Sequence, residues 1–210
     1  MNATSFGPYQ LTDSLLVESA IQGDLEAFNE LVIEYQDIAY NLAFRIIGNR
    51  AAAEDAVQDA FISAYRKLSS FRYGSFKAWL LRIVTNACYD ELRRIKRNPV
   101  IILDTVGEED ANLNSSELLV DDTGSPEEIS LNLELSSKIQ DGLSAMQLDF
   151  RSVLVLVDLL ELSYLDASKI LDVPIGTIKS RLLRARTRMK YHLAGYLNPL
   201  ETYFNDCRPR

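Results

Sequence analysis

"PIGTIKSRLLRARTRMK", residues 174–190, carries six Lys or Arg and no acid, in a chain whose formal net charge is -8. At the ~100° per residue of an α-helix, Ile178, Leu182, Ala185 and Met189 fall within about 60° of one another. Thr177, Lys179, Ser180, Arg181, Arg184, Arg186, Arg188 and Lys190 occupy the rest of the circumference. One apolar stripe can dock such a helix on its own domain, and the remainder is left to meet DNA. Upstream, Ser163-Tyr164-Leu165-Asp166 has the S-x-x-D form of a capping box and predicts a short helix from Tyr164 to Leu171. "DVPIG" then breaks the chain at Pro174 and Gly176, and a second helix starts near Thr177. This is the helix-turn-helix pattern. Its second helix fits the major groove, where Arg and Lys read guanine edges and outer cations hold phosphates.

An acid-free helix is notable because charge is strongly partitioned along the chain. Residues 1–60 sum to -8, 61–98 to +7, 99–150 to -11, 151–172 to -2 and 173–210 to +6. Phosphate neutralisation needs local cations and is indifferent to net charge, so two basic blocks suggest two nucleic-acid surfaces; by charge alone, each is equally a solvated helix face. With 47% hydrophobic and 25% charged residues in 210, the chain has the composition of a folded soluble protein. No apolar run approaches the roughly 20 residues of a membrane span, and "MNATSFGPYQ" has neither the basic nor the apolar part of a secretion signal, so a cytoplasmic location is expected. Cys88, Cys207 and the single His192 lack the number and spacing of a disulfide framework or a zinc site. No Gly-rich phosphate loop or nucleophile–base pair is present, so neither an enzyme nor a cofactor is expected.

Apolar spacing predicts helices elsewhere. From Asp24 as N-cap, a stripe runs through Phe28, Leu31, Val32, Tyr35, Ile38, Ala39, Leu42 and Ile46; a second runs from Ala53 to Leu68. Ser75 caps a third, with Phe76, Trp79, Leu80, Ile83, Val84, Ala87 and Cys88 on one side and basic "RRIKRNP" ending it at Pro99. Cys88 and Trp79 read as core residues. Residues 99–128 are rich in Asp, Glu, Ser and Asn without an apolar period, and close on Ser125-Pro126, a helix-start signal, so they read as a linker. Its acids, tethered between two basic surfaces, could compete with phosphate for them or simply keep the linker solvated. "VLVLVDLL", Val153 to Leu160, is read as a buried helix because its neighbours are helical.

Taken together, "VPIGTIKSRLLRARTRMK" resembles the promoter-reading helix of bacterial sigma factors of the extracytoplasmic-function (ECF) group. "EDAVQDAFISAYRKLSSFRYGSFKAWLLRIVTNACYDELRR" resembles the polymerase- and promoter-binding core of their N-terminal domain. The two matches stand in the family's order with a linker between them. In that family the D-x-x-Q-[DE]-x-F helix binds a coiled coil of the polymerase β′ subunit, which implies Asp55, Gln58 and Asp59, with Phe61 on the apolar side as core. The resemblance further implies that Arg72, Tyr73, Lys77, Arg82, Asn86, Arg93 and Arg94 serve the -10 promoter element. Phosphate cations, a stacking aromatic and a base-bonding amide suit that task. For the -35 element it implies Thr177, Lys179, Ser180, Arg181, Arg184, Arg186 and Arg188. The chain departs from the family's "EGLSYEEIA" with "LELSYLDAS", so that Glu161 stands where a glycine is usual, and the tail "LNPLETYFNDCRPR" has no counterpart.

The expectation is therefore an all-α protein of two small helical domains. Residues 11–98 form sigma region 2, 99–128 an acidic linker, 129–197 the helix-turn-helix region 4, and 198–210 a tail. The expected partners are core RNA polymerase through its β′ coiled coil and β flap, promoter DNA, and an anti-sigma factor, with no membrane insertion. A stand-alone helix-turn-helix regulator with a sensing or dimerising N-terminal half is the alternative; it would bind duplex without polymerase.

Overall fold

The computed structural model describes residues 8–72, 74–97 and 126–206, all in helices or short connections and none in a strand. Tyr73 and most of the acidic linker, residues 98–125, lie outside the described residues.

Four helices make the first half: α1 (Pro8–Ile21), α2 (Leu25–Ile47), α3 (Arg50–Lys67) and α4 (Phe76–Arg97). Local chemistry sets their boundaries. Asp24 accepts from the Glu26 and Ala27 amides, Asn49 from Ala52, and the Ser75 hydroxyl from Ala78, satisfying donors a helix start leaves free. Gly48 closes α2 at φ 82, a left-handed position open to glycine. Leu31, Leu42, Ile46, Leu80, Leu81 and Val84 form the centre, with Cys88 fully buried among them. Burial pushes the Cys88 thiol up to about 12. Trp79 is half-buried, its ring within 5.3 Å of Phe71 and 5.5 Å of Phe76. The spacing argument started the first helix at Asp24, but the structure adds α1, which buries Val17 and Ala20, and Asp13 accepts the Tyr35 hydroxyl proton. Among the α1 residues whose burial is described, Val17 and Ala20 belong to the core, too few to stand out as a stripe in the sequence.

The second half holds α5 (Pro126–Ser144), α6 (Leu148–Leu154), α7 (Tyr164–Leu171) and α8 (Ile175–Asp206). The apolar run after Arg151 is helical as expected, but Val155–Leu159 winds as a π turn that carries α6 into the next loop. The N-cap half of the capping box forms: the Ser163 hydroxyl accepts from the Asp166 amide at 3.0 Å, and donates to the Asp166 carboxylate at 2.7 Å. The second helix of the motif begins at Ile175, ahead of the expected Thr177, because the Pro174 carbonyl already accepts from the Thr177 and Ile178 amides. Gly176 thus sits inside the helix, and α8 continues past residue 197 to Asp206. Ile178, Leu182 and Ala185 are buried and Met189 partly so, as the helical stripe requires.

The two halves touch. α4 packs on α7, and α2 on α5 and α6, so that buried apolar residues of both halves join in one cluster.

Candidate nucleic-acid and partner interfaces

Two surfaces of unlike charge emerge. On α3, Ala53, Ala56, Ala60 and Ala64 are buried against the bundle, which turns Asp55, Gln58 and Asp59 out into solvent. The alanines let α3 approach α4 closely, leaving between them a groove of about 560 Å³. Asp55, Gln58 and Asp59 line its α3 wall, and Asn86, Asp90, Glu91 and Arg94 its α4 wall. The structure therefore brings the three residues assigned to the polymerase coiled coil together with two assigned to the -10 element. Arg94 donates from Nε and Nη2, one edge of its guanidinium, to the two Glu91 carboxylate oxygens at 2.7 and 2.8 Å, which raises its pKa, with Asp55 and Asp59 adding to the effect. Spacing missed Asp90 and Glu91 as groove residues because it treats α4 by its charge sum, in which the arginines hide them.

The rest of the -10 set is dispersed. Arg72 is exposed in the connection ahead of α4, and Lys77 is half-buried in its first turn. Arg82, Asn86 and Arg93 fall within about 40° on the helix. Arg93 pairs with Asp90 at 2.7 Å. Arg82 reaches the other half of the molecule, donating to the Lys169 carbonyl at 3.2 Å and pairing with Asp172 at 3.1 Å. Asn86 stands between this docked face and the groove.

On α8 the residues off the apolar stripe differ in the partners they have within the protein. Arg181 pairs with Asp149 at 2.6 Å. Arg186 is held by both oxygens of Asp158, at 2.9 and 2.7 Å, which raises its pKa, and Arg188 lies over the Phe150 ring at 4.5 Å. These three flank the stripe, where their charges meet α6 and its π turn. The free face is narrower. It presents Lys179, 6.0 Å over the Tyr164 ring, Ser180, which donates to the Thr177 carbonyl, and Arg184, which is exposed with no partner among the described residues. Thr177, half-buried, opens that face. Leu183 also lies on it and is 69% exposed, beside Thr187. Spacing gave no reason to single out a leucine among arginines; its place outside the Ile178–Met189 stripe was the available signal.

A second departure concerns Glu161, which takes φ 52 in the turn before α7. That left-handed geometry is what a glycine supplies freely and a side chain resists.

Comparison with known proteins agrees with this geometry. Residues 31–98 match the family model Sigma-70 region 2, and residues 136–189 match Sigma-70, region 4. The chain is 35% identical over 178 residues to the ECF RNA polymerase sigma factor SigW of Bacillus subtilis (strain 168), covering 84% of this chain and 94% of SigW. It is 38% identical over 178 residues to the ECF RNA polymerase sigma-E factor of Haemophilus influenzae, covering 84% and 93%. Among solved structures, the sigma factor RpoE of Bartonella quintana, in complex with the anti-sigma factor NepR, superposes with a TM-score of 0.61 at 30% identity, covering 81% of this chain and 98% of that one.

A helical bundle with an acidic groove, followed by a helix-turn-helix with a basic free face, defines a two-part sigma protein of the sigma-70 type. The chain belongs to its ECF group: it is a sigma factor and directs transcription initiation by RNA polymerase. The stand-alone regulator is accordingly not favoured. No described helix is long and apolar enough to cross a membrane.

Proposed function

We propose that this sigma factor divides its work between the two surfaces, in the cytoplasm where polymerase and promoter meet. The outward acids of α3 and the groove bind the basic coiled coil of β′; the -10 element is engaged by Arg72 and Tyr73 in the sequence ahead of α4 and by Lys77, Arg82, Asn86, Arg93 and Arg94 of α4. The α8 face reads the -35 element, with region 4 held on the β flap. The carrying observation is the opposition of charge: Asp55, Gln58 and Asp59 stand exposed on one helix, while Lys179, Ser180 and Arg184 stand exposed on another. A protein partner is suited by the first, and phosphate and guanine edges by the second. Within the seven residues assigned to the -35 element, Lys179, Ser180 and Arg184 are the base-facing candidates. Arg181 and Arg186, neutralised in part by Asp149 and Asp158, and Arg188, lying over the Phe150 ring, position the helix and meet backbone. Since RpoE of Bartonella quintana is found with an anti-sigma factor, an anti-sigma partner is proposed here too, covering one or both surfaces.

In vitro transcription with core polymerase on a genomic fragment library tests the proposal. Specific start sites preceded by shared -10 and -35 sequences are expected. Absence of both directed starts and core binding would overturn it.

A further inference from the structure

We infer that Tyr191, which lies outside the residues assigned to the -35 element, is a further DNA contact of α8, its hydroxyl donating to a phosphate at the wall of the major groove. The inference rests on the proposed reading of the -35 element by α8.

Leu183 and Tyr191, 69% and 79% exposed, are the most exposed large apolar side chains among the described residues, and both stand on the free face of the basic helix. With Ser180 at the middle of that face, Thr187, Tyr191 and Arg184 fall within about 40° of it and Leu183 within about 60°. The Ser180 hydroxyl donates to the Thr177 carbonyl at 3.0 Å and the Thr187 hydroxyl to the Leu183 carbonyl at 2.9 Å, so neither proton is offered outward. Arg184 and the Tyr191 hydroxyl are the donors left along this line, neither with a partner among the described residues.

Their positions assign them different parts of the groove. Arg184 and Tyr191 are seven residues apart, about 10 Å along the helix, whereas the middle of a major groove about 12 Å wide lies about 6 Å from its wall. A helix that lays Arg184 against base edges therefore carries Tyr191 to the wall, where the sugar–phosphate backbone runs. That backbone is apolar at the deoxyribose and polar at the phosphate, as a tyrosine is apolar along its ring and polar at its tip.

This part of α8 is also held firmly from behind. α5 crosses it at Gly142, where a Cβ would lie 2.8 Å from both Met189 Sδ and His192 Cδ2. A larger residue would push the two helices apart, so the glycine lets α5 pin the residues on either side of Tyr191 in the chain. A side chain placed this way needs little ordering to meet a partner, because its backbone is already fixed.

A neutral donor differs from the cations around it in one measurable respect. Each Lys or Arg that meets a phosphate releases counterions and steepens the slope of log affinity against log salt by about 0.9, and a tyrosine releases none. Binding of the full chain to a random-sequence duplex, titrated with salt, is compared for the parent, Tyr191→Phe, Lys190→Ala and Leu15→Ala, the last a similarly exposed apolar residue on α1. Tyr191→Phe should weaken binding roughly tenfold at every salt concentration, with the slope unchanged. Lys190→Ala should flatten the slope by about 0.9, and Leu15→Ala should change nothing. Gly142→Ala, which displaces this part of α8, should weaken the parent but add little to Tyr191→Phe, with thermal melting showing that each variant is folded.

Equal affinity for Tyr191→Phe and the parent would leave the hydroxyl without a role and overturn the inference. A loss that comes with a flattened slope would overturn it as well, since the variant would then act by displacing a cation. Weaker co-purification with core polymerase at unchanged duplex affinity would put Tyr191 on a protein interface, with the same consequence. Base preference at the -35 element, read with core polymerase on a randomised library, is a separate measurement that Tyr191→Phe should leave unchanged. Its absence in the parent would count against the proposed role of α8 in base reading, whatever the duplex titration shows.

Discussion

Arg184→Ala and Arg186→Ala should fail in different ways, although the two residues are two positions apart in one basic helix. Arg184 is exposed and unpaired among the described residues, so its five donors are available to a guanine, and a bidentate Arg–guanine pair is worth about 1–3 kcal/mol of discrimination. At about 1.4 kcal/mol per decade, Arg184→Ala should lower the preference at one or two -35 base pairs by roughly 5- to 150-fold and leave stability within about 0.5 kcal/mol. Arg186 already gives one edge of its guanidinium, Nε and Nη2, to Asp158, so Arg186→Ala removes an ion pair of partly exposed side chains, worth about 0.2–1 kcal/mol of stability, with no change in base preference. Asp158→Ala completes the set: it releases Arg186 toward phosphate, and one added phosphate contact should steepen the slope of log affinity against log salt by about 0.9. Transcription from a randomised -35 library, read by sequencing, measures the first effect; thermal melting and salt titration on random duplex measure the others. Equal, sequence-independent losses for Arg184→Ala and Arg186→Ala would refute the division of the helix into a free face and paired flanks.

Other outcomes are expected. Gln58→Ala with Asp59→Arg should weaken co-purification with core polymerase at least tenfold and leave helicity intact; unchanged binding would put the contact elsewhere than the groove. Glu161→Gly should stabilise the protein by about 0.5–1 kcal/mol, raising Tm by about 1–4 °C, because relief of the left-handed backbone exceeds the entropy glycine adds to the unfolded chain; a lower Tm would contradict the strain argument. Leu183→Ala should cost promoter activity only where the -35 element offers a thymine methyl to an apolar side chain. Replacing that thymine by uracil should therefore abolish the difference between parent and variant. For Cys88, burial holds the folded thiol near 12 against 9.0 ordinarily, so its contribution to stability is intact below pH 9 and is lost as pH rises from there toward 12. In a Cys207→Ser background Cys88 should resist Ellman's reagent until the protein is unfolded, and Cys88→Ala should flatten the alkaline decline of stability.

What the sequence determined by itself is what short-range chemistry decides. The capping box of Ser163 and Asp166, the N-caps Asp24 and Ser75 and the break at Pro174 act within four residues, so their types and spacing suffice to predict them, and α7 begins and ends where they place it. Apolar stripes behave similarly: a helix with Ile178, Leu182 and Ala185 on one side has one way to bury them. Exposure of Asp55, Gln58 and Asp59 follows from the alanines beside them. Tertiary structure alone decided which arginines remain free. Arg186 and Asp158 are 28 residues apart, Arg82 and Asp172 are 90, and no local pattern links them, because a charge finds its partner through the packing of whole helices. The same holds for α1, whose helix is recognisable mainly by what it lies against, and for the groove, which needs both α3 and α4 to exist. Glu161 lies between the two cases: the sequence marked it as a departure from a usual glycine, and the folded turn, at φ 52, gave the physical reason that a glycine is usual there.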